Sequence, residues 1–115
     1  MQQSPAIDQT AYNAMKTTMG EIFTSVIDAF LDYVPTQIAA LDTAIQQTDC
    51  EAIFNSAHSI KSSSSSIGAL GLASTAEQIE HMGRQGVSTG TEQLFPILQQ
   101  QFSEAAEFLE AERAA

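Results

Sequence analysis

The stretch AHSIKSSSSSIGA, Ala57 to Ala69, decides how the chain is read. Five consecutive serines, Ser62 to Ser66, have the composition of a flexible linker. Their surroundings favour a helix. Ile53, Ala57, Ile60, Ser64 and Ile67 recur at steps of four, three, four and three, which keeps them on one helical face. Ser64 falls on that face. Its hydroxyl is expected to bond back to the Ile60 carbonyl, and its small size to admit a neighbouring helix. Gly68 is the expected stop. Thr48-Asp49-Cys50-Glu51 reads as a capping box in which Thr48 and Glu51 satisfy each other's free N–H groups.

Helical spacing extends outward on both sides. Upstream, Phe23, Ile27, Phe30, Val34, Ile38, Leu41 and Ile45 form one apolar stripe. Pro35 lies inside it and should kink the helix near Asp32–Val34, but the stripe keeps its phase, so one bent helix is expected. Gly20 permits a break. Before it, a helix over about 5–18 is expected to start at Ser4-Pro5 and to bury Ile7, Ala11 and Met15. Downstream, a helix over about 70–85 should bury Leu72, Ala76, Ile79 and Met82 and end at Gly86. A turn-rich GVSTGT follows. The last helix, about 92–113, should bury Leu94, Leu98, Phe102, Ala105 and Leu109. Thr89 and Glu92 could cap it, although Pro96 could delay its start. The expected fold is all-α: an antiparallel four-helix bundle with a short additional N-terminal helix, built as a single domain over 1–115.

Totals narrow the function. The chain has 115 residues, 43% of them hydrophobic and 16% charged, which suits one modest core rather than disorder. Net charge is -10, with only Lys16, Lys61, Arg84 and Arg113 basic. That balance argues against nucleic acid and anionic membranes. No apolar run is long enough for membrane insertion, and MQQSPAIDQT lacks the basic start and apolar middle of a secretory signal. Cys50 is the single cysteine. It excludes an internal disulfide, fits a reducing cytosol, and leaves no zinc set. Cys50 itself reads as a small half-buried residue.

The central helix carries the chemistry. At about 100° per residue, His58 lies beside the core stripe on its solvent side. Phe54, Lys61, Ser62 and Ser65 share its strip. An imidazole is a good nucleophile when neutral, an ammonium one turn away can stabilise added negative charge, and small serines leave room for a second protein. A phosphoryl group carried on His58 meets all three features, since its transfer asks mainly for positioning and charge stabilisation. Taken alone, a single helical histidine is more often a plain surface residue, Lys61 a solvated charge, and Phe54 a widened core face. His81, in QIEHMGR, has no comparable strip and reads as structural. E-x-x-H pairs are absent, which disfavours a metal bundle.

The segment AHSIKSSSSSIGALGL resembles the histidine-containing phosphotransfer (HPt) family, whose pattern is roughly A-H-x-L-K-G-S-S-x-x-x-G-A-x-x-L. His58, Lys61, Ser63, Ser64, Gly68, Ala69 and Leu72 match, and Ile60 substitutes conservatively. Phe30, Pro35, Ile38 and Leu41 resemble the family's bent second helix. QIEHMGRQG resembles its L-E-x-x-x-R-x-G ending, with Ile79, Glu80, Arg84 and Gly86 in register. Ser62 departs from the pattern, which has glycine there to let a partner approach closely.

The resemblance implies a cytoplasmic phosphocarrier in a multistep relay between aspartates of response-regulator receiver domains, with a hybrid sensor histidine kinase as a further partner. His58 would accept the phosphoryl group at Nε2, and Lys61 would assist electrostatically. Phe54, Ser62, Ser65 and Gly68 would meet the partner. No cofactor is implied, because Mg²⁺ belongs to the receiver; no kinase activity is implied, because no Gly-rich phosphate loop is present. A monomer is expected, since one bundle consumes the apolar stripes. The alternative reading is a helical interaction module that binds a receiver or another signalling protein without accepting phosphate. A free-standing protein and a domain of a hybrid kinase both fit.

Overall fold

The structure is a computed structural model that describes residues 6–114. Among them the chain forms α1 (Gln9–Met19), a 3-10 turn at Gly20–Ile22, α2 (Phe23–Gln46), α3 (Cys50–Ser66), α4 (Leu70–Arg84) and α5 (Thr91–Ala114). Neighbours in sequence pack side by side: α2 on α3, α3 on α4, α4 on α5, and α5 closes back on α2. With connections this short, the result is an antiparallel four-helix bundle with α1 added at one end. The serine run lies wholly within helical structure, in the last turns of α3.

The expected stripes form the core. Phe23, Ile27, Phe30, Val34 and Leu41 of α2 are buried, as are Ile53, Ala57, Ile60, Ser64 and Ile67 of the α3 face. Leu72, Ala76 and Ile79 from α4 and Leu98, Ala105 and Leu109 from α5 complete it. Ile38, Ile45, Met82, Leu94 and Phe102 are only half-buried. Helix α2 runs unbroken through Pro35, because the apolar face on both sides of the proline is held by the same core.

Helix ends explain three of the connections. The N–H groups of Thr48 and Asp49 donate to the carbonyls of Ile45 and Ala44 at 3.1 and 3.0 Å. The same paired bonds close α3 through Gly68 and Ala69, and α4 through Gly86 and Val87. Each is a Schellman motif, which requires a left-handed residue just past the helix. Gly68 and Gly86 supply it at φ 81° and 76°. Thr48 supplies it at φ 52°, a strained choice for a β-branched residue.

That geometry corrects several expectations. Thr48 is committed to ending α2, so it does not cap α3 with Glu51. Asp49 does, its carboxylate accepting from the Ala52 N–H at 3.1 Å. Asp8 similarly caps α1, accepting from Ala11 N–H at 2.8 Å, so α1 starts later than the Ser4-Pro5 signal, which lies outside the described residues. Helix α5 starts at Thr91 despite Pro96. The Thr91 hydroxyl donates to the Ser88 carbonyl, and the Glu92 carboxylate accepts from Gly90 N–H. Ser64 Oγ has no hydrogen-bond partner among the described residues; the bond back to a preceding carbonyl is made instead by exposed Ser66, to Ser62.

Helix α1 is anchored by Tyr12 rather than by Ala11 and Met15, which are half-buried. The Tyr12 ring meets Phe23 and Phe108 edge-on, with centroids 5.0 and 5.3 Å apart. Burial and the neighbouring Glu112 carboxylate push its phenol up to about 12.

The tightest helix contact sits at Gly83. A Cβ there would lie 2.8 Å from the Phe54 nitrogen and 2.9 Å from the Cys50 carbonyl oxygen. Backbone atoms cannot move aside as a side-chain tip can. Gly83→Ala is therefore expected to destabilise the protein by about 1–3 kcal/mol, the usual range for overpacking, measured by urea denaturation. Gly71→Ala, whose Cβ would meet only the Gln101 amide nitrogen at 3.4 Å, should cost less than about 0.5 kcal/mol or stabilise, since alanine is the better helix former.

Candidate functional site

The close approach at Gly83 brings α4 against α3 one turn below His58. Glu80, three residues back along α4, then faces His58 and Lys61 across the helix pair. Glu80 Oε2 lies 2.6 Å from His58 Nδ1, and Oε1 lies 2.7 Å from Lys61 Nζ. Arg84 Nη2, one turn along α4, is 3.6 Å from Oε2. One carboxylate thus receives three basic side chains.

Exposure differs sharply within this group. The Glu80 side chain is 2% exposed and Lys61 27%, whereas His58 is 56% exposed. Burial by itself would raise the Glu80 carboxyl. The hydrogen bonds from Lys61 and His58, with their charges, outweigh it and hold the group below the usual carboxylate range. An ionised carboxylate only accepts hydrogen bonds, so His58 Nδ1 must be the donor. In the neutral ring Nε2 then carries the lone pair, on the edge away from the carboxylate. The ring also stacks on Phe54, with centroids 5.9 Å apart and planes 16° from parallel. The Arg84 guanidinium covers the same phenyl ring at 5.2 Å.

Most of the residues singled out from sequence share this surface. His58, Lys61 and Phe54 touch or adjoin one another, and Ser62 and Ser65 are exposed farther along α3. Gly68 is a correction. It is buried, its carbonyl accepts from Asp8 N–H at 2.8 Å, and a Cβ on it would meet the Tyr12 nitrogen at 3.2 Å. Gly68 therefore seats α1 and is closed to a partner. His81 is exposed on α4; it borders the same open pocket as Lys61, Glu80 and Arg84, but the ion partners of Glu80 are His58, Lys61 and Arg84.

Glu80 is the residue that sequence reasoning left without a role. Its signals were present: it stands in register with the family's helix ending, and it lies four residues after buried Ala76 and three before Gly83. A carboxylate on that inner flank needs a cation, and half of the chain's four Lys and Arg residues, Lys61 and Arg84, are within reach.

Ser62, Ser63 and Ser66 also form one wall of an open groove whose other wall is Val26, Ala29 and Tyr33 of α2. Among the described residues, no group of three or more His, Cys, Asp or Glu side chains is placed to hold a metal ion. No described helix is long and apolar enough to cross a membrane.

Residues 25–111 match the Hpt domain family, so the chain belongs to the Hpt domain family. Its role is accordingly histidine phosphotransfer in a phosphorelay, a setting in which such domains meet receiver and kinase components. Among solved structures, the chain is similar to histidine-containing phosphotransfer protein B (HptB) from Pseudomonas aeruginosa PAO1. The TM-score is 0.91 at 24% sequence identity, with 97% of each chain covered, so the likeness is one of fold. A search of curated proteins returned no match.

The cluster makes stability depend on acid. A carboxyl whose folded pKa is lowered contributes stability that is complete above its unfolded value and lost as pH falls through the lower, folded one. The ordinary Glu80 value is 4.5, so this contribution should persist to near that pH and vanish below it. Glu80→Gln is expected to lose roughly 1–3 kcal/mol at neutral pH, discounted from a fully buried pair because Lys61 and His58 reach water. It should also flatten the acid-side fall, measured by urea titrations across pH. An unchanged acid slope would contradict the ionised assignment.

Proposed function

We propose that the chain is a single phosphotransfer unit that accepts a phosphoryl group on His58 Nε2 from a receiver-domain aspartate and passes it to another receiver. The observation that carries this reading is the combination at one ring: Nδ1 is tied to a buried carboxylate while the ring itself is 56% exposed. A structural histidine would be enclosed on both nitrogens. A plain surface histidine would have no buried partner.

The remaining groups fit that role. Attack by Nε2 places a phosphate dianion near a cation-lined cluster in which Lys61 and Arg84 supply positive charge. Lys61 is bonded to Glu80 and acts from that fixed position, one helical turn from the ring. Phe54, Ser62 and Ser65 border the approach, and the adjoining α2–α3 groove extends the surface a receiver could cover. The hydroxymethyl of Ser62, on the groove wall, is small enough to keep that approach open. Mg²⁺ chemistry is the receiver's contribution.

Two sets of variants test the reading. Incubation with a phosphorylated receiver should place acid-labile label on the wild type and on His81→Gln, and none on His58→Gln. Label persisting in His58→Gln would overturn the assignment of His58, whereas a wild type that binds the receiver but takes no label would point to the second reading, a binding surface whose histidine carries no phosphate. Lys61→Ala is expected to slow transfer about 10- to 100-fold, as loss of one charge-stabilising donor does, with helix content by circular dichroism unchanged. Equal rates would remove Lys61 from the mechanism.

A further inference from the structure

We infer that the Ser62 hydroxyl donates a hydrogen bond to the phosphoryl group on His58 Nε2, so that this chain holds the group more firmly than it would with the family's glycine at that position. The inference deepens the phosphocarrier reading and rests on His58 being the acceptor.

Placement around α3 carries it. At roughly 100° per residue, Lys61 stands about 60° to one side of His58 and Ser62 about 40° to the other. The Lys61 side faces α4, where Glu80 meets His58 Nδ1 and Lys61 Nζ at 2.6 and 2.7 Å. The Ser62 side faces α2, across the groove lined by Val26, Ala29 and Phe30. With Nδ1 turned to α4, the ring edge bearing Nε2 is turned the other way, to the side on which Ser62 stands. Helical side chains lean back over the preceding turn, and positions four apart have Cβ atoms about 5–6 Å from one another. The Ser62 hydroxyl therefore overhangs the turn that carries His58, on the side where a phosphoryl group would extend.

The hydroxyl is also uncommitted. Exposed hydroxyls elsewhere on these helices turn back to a carbonyl one turn earlier: Thr18 to Ala14 at 2.8 Å, Thr43 to Ala39 at 3.3 Å and Ser66 to Ser62 at 3.0 Å. Ser62 is exposed and makes no such bond among the described residues. Its donor is free for an oxygen brought to the ring.

The chemistry of transfer is unchanged by this contact. The Nε2 lone pair forms the N–P bond as the donor's own bond to phosphorus breaks, and the leaving group takes those electrons. Ser62 keeps its proton throughout and shares it with a phosphoryl oxygen. A hydrogen bond to an ionised acceptor is roughly twice as strong as one between neutral groups. The bond exists only while the group sits on His58, so it shifts the equilibrium toward the phosphorylated chain. Glycine has no side-chain donor to offer.

The test uses the full chain carrying His81→Gln, which leaves His58 as the only imidazole of the two in the sequence. The chain is equilibrated with N-phosphoimidazole and imidazole, so the phosphoryl group passes between two like rings and no receiver is needed. Phosphorus NMR gives the equilibrium constant for Ser62 and for Ser62→Ala, Ser62→Gly and Ser62→Thr, with helix content checked by circular dichroism. An equilibrium constant reads contacts to the bound group and is blind to how freely a partner approaches. Ser62 and Ser62→Thr should favour the phosphorylated chain over the Ala and Gly variants by about 3- to 10-fold, the span of one net hydrogen bond. Equal constants for Ser62 and Ser62→Ala would overturn the inference and leave the phosphocarrier reading standing. Label taken up by a chain that also carries His58→Gln would strike that reading, and this inference with it.

Discussion

The contact on which the site depends is between one nearly buried carboxylate and two side chains of the neighbouring helix. Glu80 reaches across from α4 to His58 Nδ1 and Lys61 Nζ at 2.6 and 2.7 Å. Placing a carboxylate in a helix interface is costly unless it is fully paired. Here the pairing partners are the reactive ring and its neighbouring cation. The same interaction therefore makes Glu80 tolerable, orients the imidazole and frees Nε2. Removing any one member leaves the others in a less favourable state.

The bundle exists around this contact in a specific way. Gly83 has no side chain, so α3 and α4 approach backbone to backbone between Cys50 and Phe54. That approach fixes the height at which Glu80 meets α3. Phe54, whose backbone touches the Gly83 position, carries the ring on which both His58 and Arg84 rest. At the other end of α3, Gly68 admits α1, and Asp8 closes the contact by donating its N–H to the Gly68 carbonyl. Helix α3 is thus held at both ends by glycine-sized gaps, and the serine-rich turns between them are helical although they bear small side chains. Buried stripe residues, rather than serine propensity, keep that segment helical.

Much of this was legible in the residues. Stripes at three- and four-residue spacing located every helix of the bundle, and Ile60, Ser64 and Ile67 showed that the serines interrupt no periodicity. His58 and Lys61 stood out because charge and small size share one strip. What stayed hidden depends on relations between helices. Periodicity describes one helix at a time, so it could not show that Glu80 faces His58, nor that Gly83 is needed for the helices to touch. Local competition also misled. Thr48 and Glu51 have capping-box spacing, but Thr48 is already used in the left-handed position that ends α2, and Asp49 takes the cap. Gly68 matched a family position without lying on the exposed strip; its carbonyl and missing Cβ serve α1.

With a net charge of -10, the protein offers few cations to any partner, and two of its four basic residues converge on the site. Lys16 and Arg113 are engaged elsewhere, with Glu112 and Asp28. Positive charge is therefore concentrated where a phosphoryl group would arrive. The most direct measurement is the site of attachment itself: phosphorus–nitrogen coupling in the phosphorylated, nitrogen-labelled chain. A one-bond coupling to Nε2 of His58 is the outcome this geometry requires. Phosphorus bonded to Nδ1, or to any residue other than His58, would contradict it.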